Sequence, residues 1–268
     1  MSFKRIYVIF IRQWFLFRSN PIRLVTVFLW GIMNIVLWGF ITKYLGTLGQ
    51  AAFSFATALL GAIILSEFMN RIQQGIMTSF LEDIWSQNFI NFFASPLEIR
   101  EYLGGLVLTS IITSLASFAV LILLAGIIFG YNILEAGLFI LPFLLILFLF
   151  GMAVGLFITA IIFRFGPAAE WLGWPLPFLL SIFSGVFYPI ATLPSAFQIL
   201  ARLIPASYVF ESFRSILSGN YFFSGLLSNL LVGTALAIFY LMLAYIFFLR
   251  VYRANLRSGA LARFGAEV

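Results

Sequence analysis

Three groups of charged side chains stand close enough in sequence to act together: Glu67 with Arg71, Glu82 with Asp83, and Glu211 with Arg214. Separations of four and three are those at which helical neighbours attract as ion pairs. Chemistry beyond ion pairing has little to work with. The chain has no cysteine and no histidine, which excludes disulfides, thiol nucleophiles, most zinc sites and imidazole acid–base steps. The two lysines, Lys4 and Lys43, do not follow glycine, so the phosphate-cradling pattern GxxxxGK[ST] is absent and ATP cannot be hydrolysed by that route within this chain. There is no paired set of intramembrane carboxylates, no nucleophile elbow and no metal-ligand cluster, so no catalytic residue, metal site or cofactor is assigned to the chain itself. Proton or sodium coupling leaves ionisable groups or interrupted helices near the midplane, often in repeated halves, and neither is evident.

The elements that position these few groups are apolar. Of 268 residues, 63% are hydrophobic and 9% charged, with a mean hydropathy of +1.11, far from the soluble mixture of about half apolar and a quarter charged. An apolar core about 30 Å thick takes about 20 helical residues to cross. The sequence predicts six such spans, at about 21–42, 52–70, 102–129, 133–163, 168–188 and 222–251, in a single domain of residues 1–268. The fold class is therefore all-α integral membrane. The net charge of +6 reflects topology and not nucleic-acid binding. With both termini cytoplasmic, the inner side holds Lys4, Arg5, Arg12, Arg18, Arg23, Arg71, Arg100, Arg164, Arg250, Arg253, Arg257 and Arg263, against Lys43, Arg202 and Arg214 outside. Twelve against three is a strong positive-inside bias. The basic N-terminal stretch lacks a small-residue cleavage site, so the first span is expected to be retained.

Residues 2–18 set Phe3, Ile6, Tyr7, Phe10, Ile11, Trp14 and Phe17 at helical spacing among bases, the pattern of a helix lying in the membrane interface. Pro21 suits the first turn of the first span. Within that span Trp30, Asn34 and Trp38 recur every fourth residue; the stripe serves either packing between helices or a pathway lining. Glu67 and Arg71 are placed where the second span emerges into water, because charge at the bilayer centre costs about 2.5–3.5 kcal/mol. After it, Leu81, Ile84, Trp85, Asn88, Phe89 and Phe92 share a stripe while Glu82, Asp83 and Gln87 lie off it, which predicts a short amphipathic helix ended by Ser95 and Pro96. Ser110, Thr113, Ser114 and Ser117 form a small polar seam, and Gly151 and Gly155 a GxxxG; both are expected to permit close helix packing. Pro175 and Pro177 should kink the fifth span or divide it in two.

Residues 183–214 open as the end of an apolar span and then break at Gly185, Pro189, Pro194 and Pro205. The pieces between, 195–204 and 207–217, remain helix-compatible. Broken helices near a membrane are tolerated where protein or a watery cavity satisfies the freed backbone groups, so a re-entrant helical hairpin at one membrane face is expected. Glu211 and Arg214 read most simply as a solvated pair on its second helix.

Ser184-Gly185-Val186-Phe187-Tyr188-Pro189, then Thr192-Leu193-Pro194, then Leu203-Ile204-Pro205 followed by Tyr208, Glu211 and Arg214, resembles the signature before the last span of ABC exporter permeases of the second type, ABC-2. Glu82, Ser95-Pro96-Leu97, Glu101 and Leu103-Gly104 resemble that family's pattern around the coupling helix. The resemblance covers nearly the whole chain. It implies an N-terminal elbow helix, a cytoplasmic coupling helix between spans two and three that docks on a separate ATP-binding subunit, and an outer lid made by the hairpin. ATPase coupling would then fall to Glu82, Asp83, Trp85, Ser95, Pro96 and Glu101, and the outer gate to Gly185, Tyr188, Pro189, Pro194, Pro205, Tyr208, Glu211 and Arg214. Amphipathicity alone fits a helix lying flat on lipid equally well.

Three functions follow from these observations. The chain is a permease subunit of an ATP-driven exporter in the cell membrane, a secondary transporter, or a non-transporting membrane scaffold; the resemblance favours the first. It implies a homodimer driven by ATP and magnesium on the partner subunit; a route between the copies, lined by the first, second and fifth spans, is expected. Thirty-four Phe, 10 Tyr and 6 Trp suit a drug-like or lipid-like cargo, and a polysaccharide or glycolipid is the alternative.

Overall fold

A computed structural model describes residues 2–86, 88, 91, 92, 95–219 and 222–258; Gln87, Phe89 and Arg263, which entered the sequence argument, lie outside them. Among the described residues every regular element is helical, with no strand. In chain order these are α1 (Phe3–Ser19), α2 (Pro21–Gly46), α3 (Gln50–Trp85), α4 (Ile99–Phe129), α5 (Ile140–Phe165), α6 (Pro175–Phe183), α7 (Ser195–Arg202), α8 (Pro205–Leu217) and α9 (Phe223–Ser258). Short 3-10 stretches occupy Ile133–Phe139, Pro167–Gly173 and Ile190–Thr192. Five stretches are long and apolar enough to cross a membrane: Val25–Gly46, Phe55–Trp85, Ile99–Phe129, Gly137–Phe165 and Phe223–Ser258.

Local chemistry sets the boundaries. Pro21 opens α2 and the Asn20 side chain caps it, accepting from the Ile22 amide at 3.1 Å. Gly130 ends α4 in the left-handed region, φ 65°, where only glycine is unstrained. Pro175 and Pro205 each start a helix. No proline lies between Ala51 and Ser95, and α3 accordingly runs 36 residues without a break. At 1.5 Å per residue that is about 54 Å, well beyond the apolar thickness of a bilayer.

α3 is the central post. α5 approaches it through Gly151 and Gly155, where a β-carbon would stand 2.8 Å from the Met69 carbonyl oxygen and 3.2 Å from that of Gln73. The serine seam of α4 also faces α3: the Ser110 hydroxyl donates to the Ile72 carbonyl at 2.7 Å, a contact of about 1 kcal/mol between membrane helices. Both small-residue motifs thus pack as expected. α9 lies along α5, with Phe163 stacked on Phe248 and Asn255 donating to the Phe163 carbonyl at 2.5 Å. These contacts gather α1, the C-terminal ends of α3, α5 and α9 and the start of α4 at one end of the bundle, here called the terminal end. The turns after α2 and α4 and the segment before α8 lie at the far end.

Several expectations change. Residues 82–85 are the last turn of α3 and not part of a separate helix, because nothing between residues 70 and 85 breaks the helical ladder. The α-helix of the fourth span begins at Ile140, after a 3-10 stretch interrupted by Gly137 at φ 60°, and the apolar stretch long enough to cross begins at Gly137, not at residue 133. The segment expected as the fifth span is in two pieces, as Pro175 and Pro177 implied, a seven-residue 3-10 stretch and the nine-residue α6, but it is not among the five long apolar helices. α1 buries Ile6, Ile9, Gln13 and Phe17, while Phe3, Tyr7 and Trp14 are exposed. The expected apolar face is therefore split between the protein and its surroundings.

Candidate functional site

A cleft runs between α2, α3 and α6. Its far chamber, about 480 Å³, is lined by Trp30, Asn34 and Trp38 of α2, by Glu67 and Asn70 of α3, and by Phe178 of α6, among others. A near chamber of about 270 Å³ continues toward the terminal end, past Arg71 and Thr78 to Glu82 and Trp85. Trp30, Gln74 and Trp174 border both. The α2 stripe thus faces a cavity: Trp38 stacks on Phe187 with ring centroids 5.4 Å apart, and Trp30 is 56% exposed in the single chain.

Glu67 and Arg71 do not mark an emergence into water. Both sit near the middle of α3 and are turned inward. Asn34 donates to Glu67 Oε1 at 2.9 Å, and Arg71 donates from Nη1 to the Val27 carbonyl at 3.2 Å. Charge at this depth persists where it is paired and hydrogen-bonded. α3 continues past residue 70 to Trp85, so the pair lies mid-helix and not at the helix end.

At the terminal end, the proposed coupling residues divide. Asp83 is fully buried; Arg12 of α1 pairs with its Oδ1, and Tyr102 of α4 donates to Oδ2 at 2.6 Å. The Arg12 guanidinium also lies 4.8 Å from the centre of the Phe92 ring, a cation–π distance. Glu101 is equally buried. It accepts from the Ser2 amide at 2.6 Å and from Arg5 Nη1 at 3.2 Å, while Arg5 also donates to the Pro96 carbonyl at 2.6 Å. Glu98 and Glu101 form a capping box at the start of α4. α1 is therefore pinned by two ion pairs, and Gly105 lets it close in: a β-carbon there would lie 2.5 Å from Ile9 Cβ. Trp85 and Ser95 are exposed and Pro96 lies on the same turn. Arg5, Arg12 and Tyr102 carry this arrangement. Their role had no local signal in the sequence beyond being charged or hydroxylated in an apolar chain.

At the far end the proline-rich segment folds back on itself. Gly185 adopts φ 78°, and a β-carbon there would meet Ile190 Cγ1 at 3.0 Å, so both backbone and space require glycine. Arg214 donates to the Gly185 carbonyl at 2.7 Å and to Glu211 Oε1 at 2.9 Å, and Glu211 in turn accepts from the Ile190 amide at 2.9 Å. The pair expected to be solvated is instead a latch across the hairpin. Burial lowers the Arg214 pKa from its ordinary value, opposed by the Glu211 charge. Tyr188 donates to the Ile182 carbonyl and Tyr208 to the Arg202 carbonyl, both at 2.9 Å. Pro189 precedes a 3-10 turn, Pro194 precedes α7 and Pro205 opens α8. Phe187, two residues beyond Gly185, reaches into the cleft and closes its far end against Trp38. In the sequence Phe187 stands inside the Ser184–Pro189 motif with no function of its own.

Long apolar helices around a mainly apolar, aromatic cleft that holds a few polar groups, with α1 pinned at one end and a latched hairpin at the other, define a multi-pass membrane protein. The family profile of ABC-2 type transporters matches residues 4–218. The chain belongs to the ABC-2 transporter family and is its membrane component, not a catalytic domain; permeases of this family work with an ABC ATP-binding subunit. A search of curated proteins gave no match.

Proposed function

We propose that this chain is the permease subunit of an ATP-driven exporter, acting as a homodimer in the cell membrane with both termini in the cytoplasm. The carrying observation is the cleft between α2, α3 and α6, whose walls run from Trp85 to Phe187 along one unbroken helix. Residues 167–183 provide the sixth crossing, and the α7–α8 hairpin is the re-entrant outer lid. Two copies bring their open cleft faces together to enclose a route for a hydrophobic or amphipathic cargo.

A separate subunit, holding ATP and magnesium, docks at the terminal end on Trp85, Glu82 and the turn at residues 95–98. Asp83 and Glu101, being buried, hold the elbow rather than touch that subunit. Force applied at the end of α3 reaches the far end, where Gly61 packs against the Phe213 ring of α8. Closing and opening are then a population shift between two packings. The test is reconstitution in inverted vesicles with the ATPase pair. ATP-driven accumulation of an amphipathic dye, lost on Trp85→Ala together with ATPase co-purification, supports the reading. Uptake driven by an ion gradient without ATP, or stable binding to another membrane complex with neither activity, overturns it.

A further inference from the structure

Resting on the reading of the cleft as the transport route, we propose that its far chamber selects protonated amines: aromatic or amphipathic molecules with a positive charge and N–H donors. Among the described residues lining the chamber, Glu67 alone carries an ionisable group. Arg71, one helical turn along, also acts on the Glu67 charge, but it lines the near chamber and directs Nη1 to the Val27 carbonyl.

The remaining polar atoms favour the same ligand. Ser66 and Ser181 give their hydroxyl hydrogens to the Ile63 carbonyl at 2.8 Å and the Pro177 carbonyl at 2.9 Å, so toward the chamber they offer lone pairs. Asn70 hydrogen-bonds Glu67 through its side chain, and its Oδ1 is buried without a partner. A buried acceptor left unpaired is costly, and an N–H⁺ in the chamber would satisfy it. Gln74 supplies an amide that serves either way. Around these acceptors stand Trp30, Trp38, Trp174, Phe178 and Phe187, whose ring faces attract cations within about 6 Å. The volume, about 480 Å³, suits a drug-sized molecule.

The full chain in lipid nanodiscs provides the test. Three of its six tryptophans border the chamber, so ligand binding is read by tryptophan quenching and checked by equilibrium dialysis. The probes are rhodamine 6G, a cation with N–H groups; fluorescein, an anion of similar ring size; and tetraphenylphosphonium, a cation without N–H. Rhodamine 6G is expected to bind about tenfold or more tightly than fluorescein, with tetraphenylphosphonium between them. Glu67→Gln, which keeps an acceptor for Asn34, should weaken rhodamine 6G about tenfold, and Asn70→Leu about threefold or more. Equal or tighter fluorescein binding overturns the proposal. So does unchanged rhodamine 6G affinity in Glu67→Gln, or in Asn70→Leu should the first variant fail to fold. The vesicle assay separates the two readings. Cation-selective binding without ATP-driven transport leaves the amine site standing and removes the exporter, whereas ATP-driven transport of fluorescein alone does the reverse.

Discussion

Tyr102 donates its hydroxyl to Oδ2 of Asp83 at 2.6 Å, and this buried bond joins the last turn of α3 to the first turn of α4. Arg12 occupies the other carboxylate oxygen, so one aspartate fixes α1 to α3 and α4. A hydrogen bond to a charged group is worth about 1.5–3 kcal/mol, and Tyr102→Phe should lose that much. Asp83→Asn should cost about 3 kcal/mol, since it leaves the Arg12 charge partly buried and unpaired. Thermal unfolding in detergent measures both. A cycle with Arg12→Gln should show strong coupling, and additivity would mean that the pair contributes nothing.

Gly105 predicts that α1 can come loose without unfolding the bundle. Gly105→Val forces Ile9 outward, an overpacking cost of about 1–3 kcal/mol. Limited proteolysis should then cut within residues 3–19 faster than in the wild type, while the remaining helices stay protected. An unchanged cleavage rate would show that α1 is held without this contact.

The hairpin latch predicts control of the far end of the cleft. Gly185→Ala places a side chain in the left-handed region, at about 1–2 kcal/mol, before the crowding against Ile190 is counted. For a chain of this size that lowers Tm by about 2–4 °C per kcal/mol. Arg214→Gln should loosen the same turn and free Phe187. Because the chain has no cysteine, a single cysteine at Phe187 reports the change directly. Its modification by a membrane-impermeant maleimide should speed up in both variants, and equal rates would disconnect the latch from Phe187.

Trp38 and Phe187 predict an aromatic closure. Offset pairs of this kind contribute about 0.5–1.5 kcal/mol beyond their burial. Alanine at either position should raise ATP-independent leak of dye from loaded vesicles, and the double variant should leak little more than the worse single one. Fully additive leak would mean that the two rings act separately.

The continuity of α3 predicts a coupling defect that spares assembly. Proline at Thr78, between Trp85 and Glu67, interrupts the helix at about 3 kcal/mol. The ATPase pair should still co-purify while transport per ATP hydrolysed falls. Undiminished transport would show that force does not travel along this helix.

Much of this was legible in the residues. Pro21, Gly130, Pro175 and Pro205 fall where helices start or stop, and Gly151, Gly155 and Ser110 face α3 as their spacing implied. The error at Glu67 and Arg71 came from an electrostatic argument applied locally. The sequence showed that charge was costly there, but not that Asn34, 33 residues earlier, and the Val27 carbonyl would receive it. Asp83 was placed in the right region with the wrong exposure, because its partners lie 71 residues before it and 19 after.

By itself, the sequence determined that this protein lives in a bilayer, which segments are largely helical and where proline and glycine break them. Apolar runs, prolines and glycines act on the backbone within a turn or two of themselves. The tertiary structure alone decided which charges are buried and which side chain closes the cleft. Those outcomes depend on groups brought within about 3 Å by packing from distant parts of the chain, at a depth where a hydrogen bond has no water to replace it.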